Sequence, residues 1–161
     1  MRIAVLSDTH NRTEVIQKAI DLLEGFGVEL ILHCGDIEDP EIVSLFPRHT
    51  HFVFGNCDSD RKGLRQAIAE LGGTLHEPFG TLEVPDANVA FVHGDDSHLL
   101  YDLENCGHFD YLFHGHTHVA GERRNGKTRI INPGALHRAR PKTLAVVDLA
   151  SALLQSVIVA S

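Results

Sequence analysis

The 161-residue chain is expected to fold as an α/β domain with mixed sheets, on three observations. Short β-branched or aromatic runs alternate with stretches of helical period. Helical patterns concentrate in the first half and hairpin patterns in the second, so parallel and antiparallel pairing should mix. Five apolar runs stop abruptly at a polar residue, most of them beside a glycine. The length suits a single domain over residues 1–161 with one core. A hydrophobic content of 43% with 22% charged residues is that of a globular chain.

The elements follow in order. RIAVLS is a buried strand. From Thr13, apolar residues Val15, Ile16, Ala19, Ile20, Leu22, Leu23 and Phe26 recur at helical spacing, with Gly25 and Gly27 available as stops. VELILH is the second strand. DPEIVSLF reads as a short helix capped by Asp39 with Pro40 in its first turn. HFVF is the third strand, and Arg61–Leu71 a helix ended by Gly72 and Gly73. TLEVPDANVAFV is a hairpin turning at residues 85–88. YLFH is a further strand, and ERRNGKTRII carries the Asn-Gly signal of a tight hairpin. From Leu144, two last strands should meet at a turn near residues 150–152.

Several classes are excluded. A net charge of −8 disfavours a broad basic face for duplex nucleic acid. The opening MRIAVLSDTH reaches Asp8 before any signal-peptide core could form, so a cytoplasmic protein is expected. The most apolar stretch, from Leu144, is broken by Asp148 and Gln155 and falls short of the roughly 18 residues a membrane span needs. Cys34, Cys57 and Cys106 form no CxxC pair and read as reduced thiols.

The five abrupt strand ends carry the chemistry. They deliver Asp8 and His10, Asp36, Asn56, His93, and His116 with His118. Gly35, Gly55, Gly94 and Gly115 stand beside four of these ends. Glycine allows positive φ and close backbone approach where a chain must turn and aim a short side chain. Ligands of open α/β sheets gather at strand carboxyl ends. Seven nitrogen and oxygen donors without a thiolate are too many for one tetrahedral zinc. They suit two cations about 3.5–4 Å apart that share a carboxylate.

The series D-x-H, G-D, G-N-x-D, H-G and G-H-x-H, from Asp8 to His118, resembles the calcineurin-like metallophosphoesterases. Within them the chain is similar to the small single-domain phosphodiesterase group, whose Asn-Pro-Gly turn is matched by NPGA at residues 132–135. The resemblance implies a four-layer α/β/β/α sandwich of two mixed sheets flanked by helices, with the metal site at the strand ends. It places Asp8, His10, Asp36 and His118 on one metal, and Asp36, Asn56, His93 and His116 on the other, with Asp36 bridging. Asp36, Asn56 and His93 are then the catalytic group, beside a metal-bridging hydroxide that attacks a phosphate diester. Mn²⁺ is the foremost cation, and Fe²⁺, Co²⁺, Ni²⁺ or Zn²⁺ also suit the donors. A small phosphoester is the expected partner, with no nucleic acid duplex and no membrane, and a homo-oligomer is compatible. His116 and His118, two apart in an expected extended segment, should leave the chain on the same side.

Two positions depart from the broader family. Cys57 stands where many members carry a histidine thought to protonate the leaving group. Asp95 replaces the second histidine of an H-G-H motif. His33 and His114 are expected either to support ligands by hydrogen bonds or to be simply hydrogen-bonded core residues. His49, His51, His76, His98 and His108 are expected at the surface or strand edges. The HRARPK segment after Gly134 should be a solvated loop near the site mouth, with Arg138 or Arg140 candidates for an anion contact. Two other functions compete: a non-catalytic scaffold of the same fold, and a phosphomonoesterase. Ligand completeness argues against the first. The short chain and the absent third-motif histidine argue against the second.

Overall fold

The computed structural model describes residues 1–85 and 87–161. Among the described residues eleven strands form two mixed sheets. The first contains β1 (Arg2–Leu6), β2 (Leu30–His33), β3 (Thr50–Val53), β4 (Thr74–His76), β10 (Lys142–Asp148) and β11 (Leu153–Ala160), in the order β11-β10-β1-β2-β3-β4. Strands β1 to β4 run parallel, and β10 pairs antiparallel with β1. The second holds β5 (Gly80–Val84), β6 (Ala87–Val92), β7 (Tyr111–His114), β8 (Gly121–Asn125) and β9 (Thr128–Asn132), in the order β5-β6-β7-β9-β8. There β6, β7 and β9 are parallel. Each sheet therefore presents several carboxyl ends along one edge.

Alternation along the strands builds the layers. Ile3, Val5, Leu30 and Leu32 face inward and meet Val89, Phe91, Phe113 and Ile131 of the other sheet. Their neighbours Ala4, Leu6 and Ile31 face outward against Ala19 and Leu23 of α1 (Thr13–Leu23). Such strands, buried on both faces, read as continuous apolar runs. α2 (Arg61–Leu71) covers the same outer face, packing Leu64 and Ile68 on Phe52. α3 (Ser97–Asn105) packs Leu103 on Ala90, Leu112 and Ile130 outside the second sheet. The four-layer arrangement is the one expected.

The differences are local. β4 and α3 were not foreseen. β4 is a three-residue edge strand. α3 is short and buries little, although Asp96 caps it by accepting from the His98 and Leu99 amides at 3.0 Å each. The Asp39 element is a 3-10 helix, Pro40–Leu45. The Gly27 stop holds in the left-handed region (φ 61°) after a 3-10 turn, Glu24–Phe26. The hairpin turn expected at residues 85–88 includes Asp86, which lies outside the described residues. Among the described residues no helix is long and apolar enough to cross a membrane.

Candidate metal centre

The loops leaving β1, β2, β3, β6 and β7 converge on one point. The first two are stitched together by backbone bonds: the Asp8 amide donates to the Gly35 carbonyl, and those of Thr9 and His10 donate to Asp36, each at 3.1 Å. Gly55 is required by close approach, since a Cβ there would overlap the Asp36 side chain. Gly115 likewise admits the Ser7 hydroxyl and the Asp8 carboxylate.

Positive φ, expected of the glycines, falls mainly on the candidate ligands. Asp8, His10, Asp36, His116 and His118 all have φ between 42° and 65°. Left-handed backbone costs a non-glycine residue roughly 1–3 kcal/mol and persists where the surroundings impose it. This also corrects the expectation for His116 and His118. Their segment is not extended, so strand alternation does not place them together; two left-handed turns do.

The donors are aimed by their other atoms. His93 Nδ1 donates to the Cys34 carbonyl at 2.8 Å, which leaves Nε2 aimed into the site. Nε2 lies 3.0 Å from Asn56 Oδ1 and 3.5 Å from Asp36 Oδ2. His10 Nδ1 contacts the Glu38 carboxylate at 2.7 Å, and its Nε2 lies 3.5 Å from the same Asp36 Oδ2. Carboxylate and carbonyl partners of this kind fix the tautomer of a ligating imidazole. Asp36 Oδ1 is held by the Cys57 amide at 2.8 Å. Asp8 Oδ2 accepts from the His116 amide at 3.1 Å. Asp8 Oδ1 lies 3.2 Å from His118 Nε2, in a geometry that makes no hydrogen bond.

Two buried side-chain atoms here have no hydrogen-bond partner, Asp8 Oδ1 and His10 Nε2. Unpaired buried polar atoms are costly. A cation lying among these atoms would give both a partner. Asp8, His10 and His118 form one compact group of donor atoms, and Asp8, Asp36 and His93 another. The His93 and His116 rings stand 5.1 Å apart between centroids. The donor chemistry fits a pair of divalent cations. The mouth above is a cavity of about 290 Å³, bordered by Cys57, Glu38, His137 and Arg138 as well as five of the donors, all but Asp8 and His93.

Residues beyond the seven shape this centre. Asp58, the last letter of G-N-x-D, is buried and accepts from the amides of Asp36 (3.0 Å), Ile37 (2.7 Å), Glu38 (2.7 Å) and Gly55 (2.7 Å). Burial pushes its carboxyl up, and the Gly55, Glu38 and Ile37 amides pull it back. Asn132 of the NPGA turn donates to the Gly115 carbonyl at 2.9 Å and to Thr117 Oγ1 at 3.0 Å, pinning the HGHTH loop. His33 accepts from the Gly35 amide at 3.2 Å and contacts Thr9 Oγ1 at 3.1 Å; burial pushes it down to about 3. Burial likewise lowers His114, whose Nδ1 sits 3.2 Å from the Gly115 carbonyl. His49, His98 and His108 are exposed, whereas His51 and His76 are half-buried and bonded to each other at 2.9 Å. Of these residues, Asp58 and Glu38 carried the readable signal, an acid two positions after each of two ligands.

Fold and donor set define a phosphoester hydrolase of the metal-dependent kind. Residues 1–152 match the calcineurin-like phosphoesterase superfamily domain, and the chain belongs to that family. It is 28% identical over 138 residues to a phosphodiesterase of Methanocaldococcus jannaschii, covering 83% of each chain. The structure of an archaeal phosphodiesterase superposes with a TM-score of 0.90 at 24% identity, covering 98% of this chain and 99% of the other. Vacuolar protein sorting 29 from Cryptosporidium parvum shares the fold with a TM-score of 0.66 at 18% identity, covering 98% and 95%.

Proposed function

We propose that this chain, acting as one domain, hydrolyses phosphate diesters with two bound divalent cations. The observation that carries the reading is the position of Asp36 Oδ2, 3.5 Å from Nε2 of both His10 and His93. One carboxylate oxygen thus faces donors of both halves of the site. Asp8, His10, Asp36 and His118 hold one cation, and Asp36, Asn56, His93 and His116 the other. When bound, such a pair neutralises charge on phosphate oxygens and lowers the pKa of water. Asn56 contributes an oxygen without charge, which keeps the centre attractive to an anionic ester. Glu38 and the Cys34 carbonyl hold His10 and His93 in the ligating tautomer. Mn²⁺ is the proposed cation, as a hard-to-borderline match to these donors.

The relative named as a phosphodiesterase supports a diester substrate, as does the absence of an imidazole at Cys57 to serve a basic leaving group. A scaffold of the same fold has no need of orphaned buried donors, so their presence favours the enzyme. The test compares an aryl diester, bis(p-nitrophenyl) phosphate, with the aryl monoester on metal-stripped protein reloaded with each cation. The diester should turn over faster by about tenfold or more, on the order of 1.4 kcal/mol. A preference for the monoester, or no hydrolysis with two cations bound per chain, overturns the reading.

A further inference from the structure

A second and larger cavity adjoins the metal centre. It measures about 770 Å³, and His137 and Arg138 line both cavities. Its other walls bring Arg12, Arg140 and Lys142 together with a single carboxylate, Glu14. Four cations against one anion is a local reversal in a chain of net charge −8. None of the four cations takes part in an ion pair among the described residues, unlike Arg2, Arg65, Arg123, Lys127 and Arg129. Arg12 is held in place: its Nε donates to His137 Nδ1 at 2.9 Å, and the His137 ring rests 4.9 Å from that of His10. The Arg12 terminal nitrogens remain available to a ligand. Arginine forks match phosphate oxygens in a bidentate way, and lysine adds a point charge.

Resting on the phosphodiesterase reading, we propose that this cavity is an anion subsite for a second phosphoryl group. The preferred substrates are then phosphodiesters with a phosphate on one arm. The scissile diester sits at the metal centre while that arm passes His137 and Arg138 to reach Arg12, Arg140 and Lys142. Arg12 couples the two sites, because the imidazole it anchors lies against a candidate metal ligand.

The experiment uses the dinucleotide ApA and its forms phosphorylated at the 5′ or the 3′ end. Metal-stripped protein cannot turn them over, so calorimetry reads binding directly. At least one phosphorylated form should bind more tightly than ApA by about tenfold, as charge-assisted contacts allow, and the preference should weaken with salt. In Arg140→Gln/Lys142→Gln, and in the single exposed-loop variant Arg140→Glu, the ratio should fall towards one. Equal binding of all three dinucleotides to the unaltered protein, or a preference that survives both variants, overturns the subsite. Turnover by the Mn²⁺-loaded protein separates the two readings. A binding preference without hydrolysis sinks the phosphodiesterase assignment and leaves the subsite standing. Hydrolysis of all three at one rate and affinity does the reverse.

Discussion

The two sheets equip the centre differently. The first supplies Asp8, His10, Asp36 and Asn56, chiefly oxygen donors, with both carboxylates buried at 0% and 3% exposure. Its loops are tied by backbone amides to one another and to Asp58. The second sheet supplies only imidazoles. His93 is buried, but His116 is exposed and His118 half-buried. The first half therefore supplies the fixed charge of the candidate centre, while the second adds ring nitrogens alone. Asp36 belongs to the first half yet reaches a donor of the second.

That reach gives the largest expected effect. Asp36→Asn keeps the shape and the oxygen held by the Cys57 amide, but it removes the charge shared between halves. Turnover of an aryl diester should fall about a thousandfold, roughly 4 kcal/mol of barrier, and metal analysis should show both cations depleted. Asp8→Asn should deplete chiefly one. Equal losses from the two variants at matched metal occupancy would abolish the distinction between a shared and a terminal carboxylate.

Anchoring separates the halves next. Asp58→Ala strands four amides of the first half, whereas Asn132→Ala strands one, that of Gly134, and frees one carbonyl and one hydroxyl of the second. Unsatisfied buried groups cost about 1–3 kcal/mol. Urea unfolding of the metal-free protein should show Asp58→Ala losing about 3 kcal/mol and Asn132→Ala about 1. Similar losses would mean the second half is as firmly built as the first.

The same contrast explains what could be read before folding. All seven candidate ligands were legible because each ends an apolar run, and strand ends of parallel sheets point one way. The layers were legible in β1, whose uninterrupted apolar run demands cover on both faces. Asp58 was quoted within a motif but given no task, since its partners are amides that no sequence displays. The left-handed backbone at Asp8, Asp36 and His118 was also hidden. Strain imposed by packing has no residue signature unless glycine accommodates it. α3 escaped because only Leu103 is buried along it, leaving weak amphipathic spacing.

A buried imidazole sharpens the comparison further. His33 lies within the first half, accepts a hydrogen bond from the Gly35 amide, and is pushed by burial from 6.5 to about 3. Between those values the unfolded chain binds a proton that the folded chain refuses. Stability should therefore be full above pH 6.5 and fall with pH towards 3, with a slope from this group of up to about 1.4 kcal/mol per unit. His33→Asn offers the amide an oxygen without a titrating ring. It should flatten the profile of the metal-free protein in this window, measured by urea unfolding at successive pH values. An unchanged slope would show that His33 contributes nothing to the acid sensitivity.

The smallest effect is expected where the halves meet the leaving group. The Cys57 side chain borders the cavity, and its amide holds Asp36 Oδ1. Asn56 Nδ2 donates to its Sγ at 3.4 Å, a weak contact. Burial, and then the neighbouring Asp36 carboxylate, push the thiol up to about 11, while bound cations pull towards thiolate. A thiol is a poor hydrogen-bond donor in either balance, and a nitrophenolate leaves without a proton. Cys57→Ala should thus change aryl diester turnover by less than about twofold. An alkoxide leaving group is different, because a positioned acid is worth about 10²–10⁴-fold. Cys57→His should raise turnover of an alkyl or nucleotide diester by about tenfold or more and leave the aryl substrate nearly unchanged. Rates of the three proteins on both ester types, at saturating metal, decide the matter. If Cys57→Ala loses activity on the alkyl ester alone, the thiol is already the proton donor, and the first half supplies acid chemistry as well as charge.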